Sequence, residues 1–182
     1  MKKYIIIIIL LFFNLNILSA DDRTDRLNKL FNELKINNSI IANEVEQKIW
    51  KIWSTHPDDE KLTSLLAEGS NLVNNDKYIE AIDIFSKAIE LDPLWAEAWN
   101  KRATVLYLSG EFEKSQNDID KVLELEKRHF GALAGQGLVN IHLKNYEKAI
   151  ESYEKAKEIY PSMKSPDIMI KQIKKLIKEK SI

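Results

Sequence analysis

Residues 96–127 read AEAWNKRATVLYLSGEFEKSQNDIDKVLELEK. Apolar residues spaced three and four apart divide this stretch into two short amphipathic helices, Ala96–Ser109 and Phe112–Glu126, with Ser109-Gly110 as the turn between them. Shifted by 34 residues in either direction, the pattern returns without a gap. Trp99 aligns with Leu65 and Leu133, Ala103 with Gly69 and Gly137, and Phe112 with Tyr78 and Tyr146. Ser115 aligns with Ala81 and Ala149, Ile119 with Phe85 and Tyr153, and Val122 with Ala88 and Ala156. A lone helical hairpin leaves one apolar face bare, so a repeat of this kind implies a stack with one continuous core.

The recurring residue types follow from packing. Antiparallel helices with axes about 8–10 Å apart need small side chains at the closest contact. Gly69, Ala103 and Gly137 on the first helices, with Ala81, Ser115 and Ala149 on the second, supply that clearance. Leu65, Trp99, Leu133, Phe85, Ile119 and Tyr153 fill the space beside it. Pro93 and Pro161 each stop a second helix, since proline lacks the N–H and clashes with the preceding turn. The middle repeat carries Lys127-Arg128-His129 instead, so its stop has another origin, and basic groups there suit a helix C-terminus.

The 182 residues contain no cysteine, 27 basic and 28 acidic side chains, and suit one domain. Lys2 and Lys3, the apolar run Tyr4–Phe13 and the small-residue ending Leu18-Ser19-Ala20 predict a secretory signal peptide over residues 1–20, cleaved after Ala20. The competing reading is a retained anchor, but Asn14 and Asn16 interrupt the run short of the ~20 residues a spanning helix needs. Cleavage predicts a periplasmic protein. Without Lys2 and Lys3 the charge is 25 basic against 28 acidic, or −3, which does not suggest a nucleic-acid partner.

Residues 21–57 hold two further helical patterns. Leu27, Leu30, Phe31 and Leu34 form one stripe, with Asp22 or Thr24 as N-cap. Ile41, Val45, Ile49, Ile52 and Trp53 form the other, and Pro57 closes it. This pair lies one period upstream of the first clear repeat, but Gln47 stands in the place of Ala81 and Asn38 in that of Leu72. It reads as a degenerate repeat or capping hairpin, with Trp53 on the first repeat and Trp50 partly exposed.

His56-Pro57-Asp58-Asp59-Glu60 combines a histidine with carboxylates, yet a helix stop followed by an acidic helix start accounts for it without a metal. His129 and His142 are isolated in sequence. No nucleophile–base pair or phosphate-binding glycine loop is present, so neither catalysis, a metal nor a cofactor is expected. After Pro161, a last helix is expected over Pro166–Lys180, capped by Ser165, with Ile168, Met169, Ile173, Leu176 and Ile177 on one side and five lysines on the other. It reads as a cap for the stack, or alternatively as a basic amphipathic helix touching anionic lipid.

Residues 62–161 resemble three units of the tetratricopeptide repeat (TPR) family, the middle one through WNKRA at Trp99–Ala103 and DIDKV at Asp118–Val122. The chain as a whole resembles small exported TPR proteins of Gram-negative bacteria. Arg102 in place of leucine, Ser115 in place of alanine and Lys127 in place of proline depart from the family pattern. The resemblance implies an all-α, right-handed solenoid with repeats at 62–95, 96–129 and 130–163, a degenerate hairpin before them and a capping helix at 166–180. It also implies a scaffold for an unidentified protein or peptide, bound in a concave groove lined by Leu66, Ser70, Val73, Asn100, Thr104, Tyr107, Ala134, Leu138 and Ile141. Where chaperone-binding members place Lys, Asn and Arg to clamp a C-terminal carboxylate, this chain has Leu66, Ser70, Lys101, Gly131 and Gly135. The groove therefore suits an apolar peptide or helix, unless the chain's own terminal helices fill it.

Arg102 faces the second helix of its own repeat, and only that helix carries aspartates, Asp118 and Asp120, on either side of its packing isoleucine. A structural ion pair of Arg102 with Asp118 is the expectation, the alternative being a guanidinium that snorkels to solvent.

Overall fold

The computed structural model describes residues 22–36 and 39–180, so the Met1–Ala20 segment lies outside the described residues. Nine helices and no strand occur among them. They are α1 (22–34), α2 (Ser39–Ser54), α3 (Glu60–Asn74), α4 (Tyr78–Leu91), α5 (Ala96–Leu108), α6 (Phe112–Leu125), α7 (Phe130–His142), α8 (Tyr146–Ile159) and α9 (Lys164–Lys180). No described helix is long and apolar enough to cross a membrane.

Helices α3–α8 form three hairpins, α3/α4, α5/α6 and α7/α8, each packed on the next through its first helix. The turn inside each hairpin places Asp76, Gly110 and Lys144, 34 residues apart, at φ of 59°, 79° and 62°. That left-handed conformation costs a side chain about 1–2 kcal/mol and is free for glycine, so only Gly110 adopts it without strain. Small and large residues are matched within each hairpin. A Cβ on Gly69 would lie 2.4 Å from the Phe85 ring, and one on Gly137 2.5 Å from the Tyr153 ring. The middle hairpin pairs Ala103 with the slimmer Ile119. Ser115 takes the second small position because its hydroxyl donates to the Ala103 carbonyl at 2.8 Å.

The stop of α6 also becomes clear. Glu126 has the same extended backbone (φ −140°, ψ 95°) that Asp92 has before Pro93 (φ −140°, ψ 94°). Arg128 holds it there, donating to Glu126 from Nε at 2.9 Å, from Nη2 at 3.0 Å and from its backbone N–H at 3.0 Å. An arginine–glutamate fork replaces the proline.

The capping helix α9 packs on α8 and starts at Lys164, two residues before the expected Pro166. Its buried phase runs through Pro166, Met169, Ile170, Ile173 and Ile177. Ile168 and Leu176, expected on that stripe, are 55% and 38% exposed. Once Pro166 is seated inward, the 3.6-residue period carries position 170 into the contact instead of 168.

The largest departure concerns the N-terminal hairpin. Helix α2 does not stack on α3 as a further repeat; it folds back onto α5, the start of α7 and the end of α8. Leu27, Phe31 and Leu34 of α1 and Ala42, Val45, Ile49 and Trp53 of α2 share one buried cluster with Phe130 and Tyr160. Ala42 takes the inward place expected for Ile41, which faces out. Trp53 consequently packs on the third repeat rather than the first, its ring stacked 4.0 Å from that of His129.

Candidate functional site

Helices α3, α5 and α7, the first of each hairpin, lie side by side along the face expected to be concave, and α2 packs on α5 and on the start of α7. Trp50 lies where a Cβ on Gly131 would be, at 2.5 Å, so the absence of a side chain there seats the indole. The Trp50 Nε1–H donates to Glu46 Oε1 at 3.2 Å, and the Tyr160 hydroxyl donates to Glu46 Oε2 at 3.0 Å. Burial, and then the nearby Glu46 carboxylate that accepts its hydrogen bond, push the Tyr160 phenol up to about 12. Trp95, which caps α5, donates its Nε1–H to the Trp53 carbonyl at 2.9 Å. From the other side Arg128 Nη1 donates to Asn28 Oδ1 at 2.8 Å and lies 4.3 Å over the Phe31 ring.

Beneath Trp53 is a polar pair that sequence spacing does not reveal. His129 is fully buried rather than isolated: its Nδ1 accepts from the Ala132 N–H at 3.0 Å and its Nε2 meets Glu97 Oε2 at 3.0 Å. An accepting Nδ1 requires the proton on Nε2, so the imidazole donates to Glu97. Asn100 Nδ2 also donates to that oxygen at 3.1 Å, and Lys101 Nζ lies 3.4 Å from the other. His56 is likewise a connector. Its Nδ1 accepts from the Asp59 N–H at 2.9 Å while Nε2 meets Asp92 at 2.9 Å, tying the α2–α3 link to the end of α4. Among the described residues no three His, Asp or Glu side chains converge to hold a metal ion.

The expected groove positions therefore divide. Leu66 is buried in the cluster that contains Ala98 and Val105 and lines no surface, whereas Asn100, though mostly buried against Glu97, still reaches the wall of the cavity between α5 and α7. Ala134 and Ile141 pack toward the cluster of Ala149, Tyr153 and Ile173 under α9. Ser70, Val73, Thr104, Tyr107 and Leu138 remain fully or partly open. Between α5 and α7 is a cavity of about 70 Å³, where Thr104, Tyr107, Gly135 and Leu138 surround Ala103, Ile119 and Val139; Ser70 and Val73 lie outside it. Tyr107 is oriented by His142, whose Nε2 lies 3.0 Å from its hydroxyl.

Arg102 spans α5 and α6. Its Nε and Nη2 donate to the two oxygens of Asp118 at 2.7 and 2.8 Å, its Nη1 donates to Ser86 Oγ at 3.0 Å, and its guanidinium lies 4.9 Å over the Trp99 ring. Asp120 is turned away and accepts from Gln116 and Gln136.

A tetratricopeptide repeat family model matches residues 66–115 and 101–164. A TPR repeat-containing protein of Rhizobium etli is 31% identical over 142 residues, covering 75% of this chain and 67% of its own. A tetratricopeptide repeat protein 36 homolog of Nematostella vectensis is 31% identical over 111 residues, 60% of each chain. Among solved structures, the first TPR of Spaghetti bound to an HSP90 peptide superposes with a TM-score of 0.64 at 23% identity, over 66% of this chain and 95% of that one. That likeness is one of fold. With the register of the repeats, the hairpin stack and these matches in agreement, the chain belongs to the tetratricopeptide repeat family.

Proposed function

We propose that the chain is a non-catalytic protein-interaction scaffold of the cell envelope, holding an uncharged segment of a partner against the open part of its concave face. The observation that carries this reading is the cavity between α5 and α7: Trp50 reaches its edge over Gly131, but no residue of the hairpin is part of its lining. Apolar and hydroxyl-bearing groups, Thr104, Tyr107 and Leu138, line it, a composition suited to an apolar side chain presented by an extended or helical peptide. The Spaghetti domain holds a peptide ending in EEVD. An acidic tail of that kind is disfavoured in this groove, because Lys101 is engaged by Glu97 and the remaining clamp positions are Leu66, Ser70, Gly131 and Gly135. The envelope assignment rests on Lys2, Lys3, Tyr4–Phe13 and Leu18-Ser19-Ala20, and predicts a mature chain beginning at Asp21.

Gly135→Met tests the groove. A Cβ at Gly135 meets only Ile119 Cδ1, at 3.7 Å, so a longer side chain extends into the cavity without displacing the backbone. A photo-crosslinker at Thr104 should capture a partner protein in wild-type envelopes, and Gly135→Met should abolish that adduct. Equal capture by both proteins would refute the reading. A second reading, in which the hairpin is the groove's own occupant and the protein is structural, is favoured by Trp50 and Trp53; it predicts crosslinks only within the chain.

A further inference from the structure

The solvent side of the N-terminal hairpin carries a feature the groove does not use. Along it α1 and α2 diverge into a cleft of about 740 Å³. Arg23, Arg26 and Lys29 line one wall and Lys48 and Lys51 the other, with half-buried Leu30 and Ile52 also lining the cleft. Only two carboxylates, Asp22 and Glu33, share the lining. The chain as a whole is slightly acidic, so this is a local concentration of positive charge.

The cations are also uncompensated. Elsewhere Lys77, Lys114, Lys121 and Lys155 each pair with a glutamate three or four residues away. Among the described residues Arg26, Lys29, Lys48 and Lys51 have no carboxylate within 4.0 Å. Arg23 is committed to the backbone, donating to the Ile52 carbonyl at 2.6 Å and the Thr55 carbonyl at 3.0 Å, which closes the C-terminus of α2. Burial pushes its guanidinium down from the ordinary value; Asp58 opposes that and the like charge of Arg26 adds to it. Gathering five cations against two carboxylates is unfavourable in the free protein, and an anionic occupant relieves it.

The spacing selects among anions. Arg23, Arg26 and Lys29 recur at every third residue, about 4.5 Å of helix rise apart, so the row runs roughly 9 Å and faces a second row on α2. Alternate side chains of an extended peptide are about 6.6 Å apart and point the same way. Two or three acidic residues on a strand therefore reach both rows while the intervening aliphatic groups meet Leu30 and Ile52. A single phosphate contacts one end of the row. A flat bilayer meets the rims and leaves the recessed apolar residues uncovered.

We propose that the α1–α2 cleft docks an acidic, extended segment of a partner protein, at a surface separate from the concave groove. The test uses the full chain and a fluorescein-labelled peptide of alternating Glu and Leu, read by anisotropy, with inorganic phosphate and phosphatidylglycerol-containing vesicles as competitors. Lys48 and Lys51 are exposed, so Lys48→Glu with Lys51→Glu reverses two charges without disturbing the core. Peptide affinity should fall at least tenfold in that variant and also between 50 and 500 mM salt. It should be unchanged in Lys174→Glu with Lys178→Glu on α9, and in the groove variant Gly135→Met. Equal affinity of the Lys48/Lys51 variant and wild type, loss of binding in the α9 or groove variants, or displacement of the peptide by phosphate or vesicles at matched charge would each overturn the proposal. The groove reading fails separately, through the Thr104 crosslink.

Discussion

Truncating Arg102 and Asp118 one at a time should not be equivalent, and the asymmetry can be worked from their surroundings. The Arg102 side chain is 21% exposed and that of Asp118 6%. After Asp118→Ala the guanidinium keeps Ser86 and the face of Trp99 and can rotate toward water, so the cost should be about 1–2 kcal/mol. After Arg102→Ala the carboxylate loses the donors to both oxygens while still enclosed between α5 and α6. Breaking a buried pair in that direction costs about 3–5 kcal/mol, and the slight exposure of Asp118 places this case near about 3. The double variant removes both charges and forfeits mainly packing, about 1–2 kcal/mol, which leaves a coupling energy of about 2–4 kcal/mol. Urea unfolding followed by far-ultraviolet circular dichroism, at 0.1 and 1 M NaCl, measures all four corners of the cycle. Salt should remove little of the coupling, because the pair is largely shielded from solvent. A coupling below about 0.5 kcal/mol, typical of exposed pairs, or equal costs for the two single truncations, would show that the guanidinium merely snorkels.

Neighbouring glycines of α7 should respond with opposite signs. Gly135→Ala gains about 0.5–1 kcal/mol of helix propensity with open space around it, whereas Gly137→Ala drives a methyl into the Tyr153 ring and should lower the urea midpoint despite the same propensity gain. Trp53→Ala should cost about 3–5 kcal/mol of hairpin docking, seen in hydrogen exchange as early opening of α1 and α2 while α3–α6 stay protected. Tyr160 has its folded pKa raised from 10 to about 12, so its contribution is complete below pH 10 and is lost as pH rises through about 12. Near-ultraviolet dichroism should follow that alkaline loosening of the hairpin, and Tyr160→Phe should remove this component; an unchanged alkaline transition in the variant would disprove the link.

The repeat architecture was legible in the chain because each TPR hairpin is specified by residues close in sequence. The 34-residue register, the small residues at Gly69, Ala103 and Gly137, and the stops at Pro93 and Pro161 all act within one hairpin or between neighbours. The Arg102–Asp118 contact belongs to this class too, since its partners are 16 residues apart in one hairpin. The placement of the N-terminal hairpin does not. The apolar stripes of α1 and α2 state that those faces must be buried but carry no information about the surface that buries them, and stacking on α3 satisfies the same pattern. That choice is made by contacts spanning tens of residues: Trp53 on His129, Trp50 over Gly131, and Glu46 bonded to Tyr160 114 residues away. It follows that Gly131 and His129 looked like an ordinary inter-repeat turn, and Leu66 like open groove. The local pattern determines which side chains turn inward along each helix. Only the tertiary structure decides where the hairpin closes, and so which part of the face formed by α3, α5 and α7 is left uncovered.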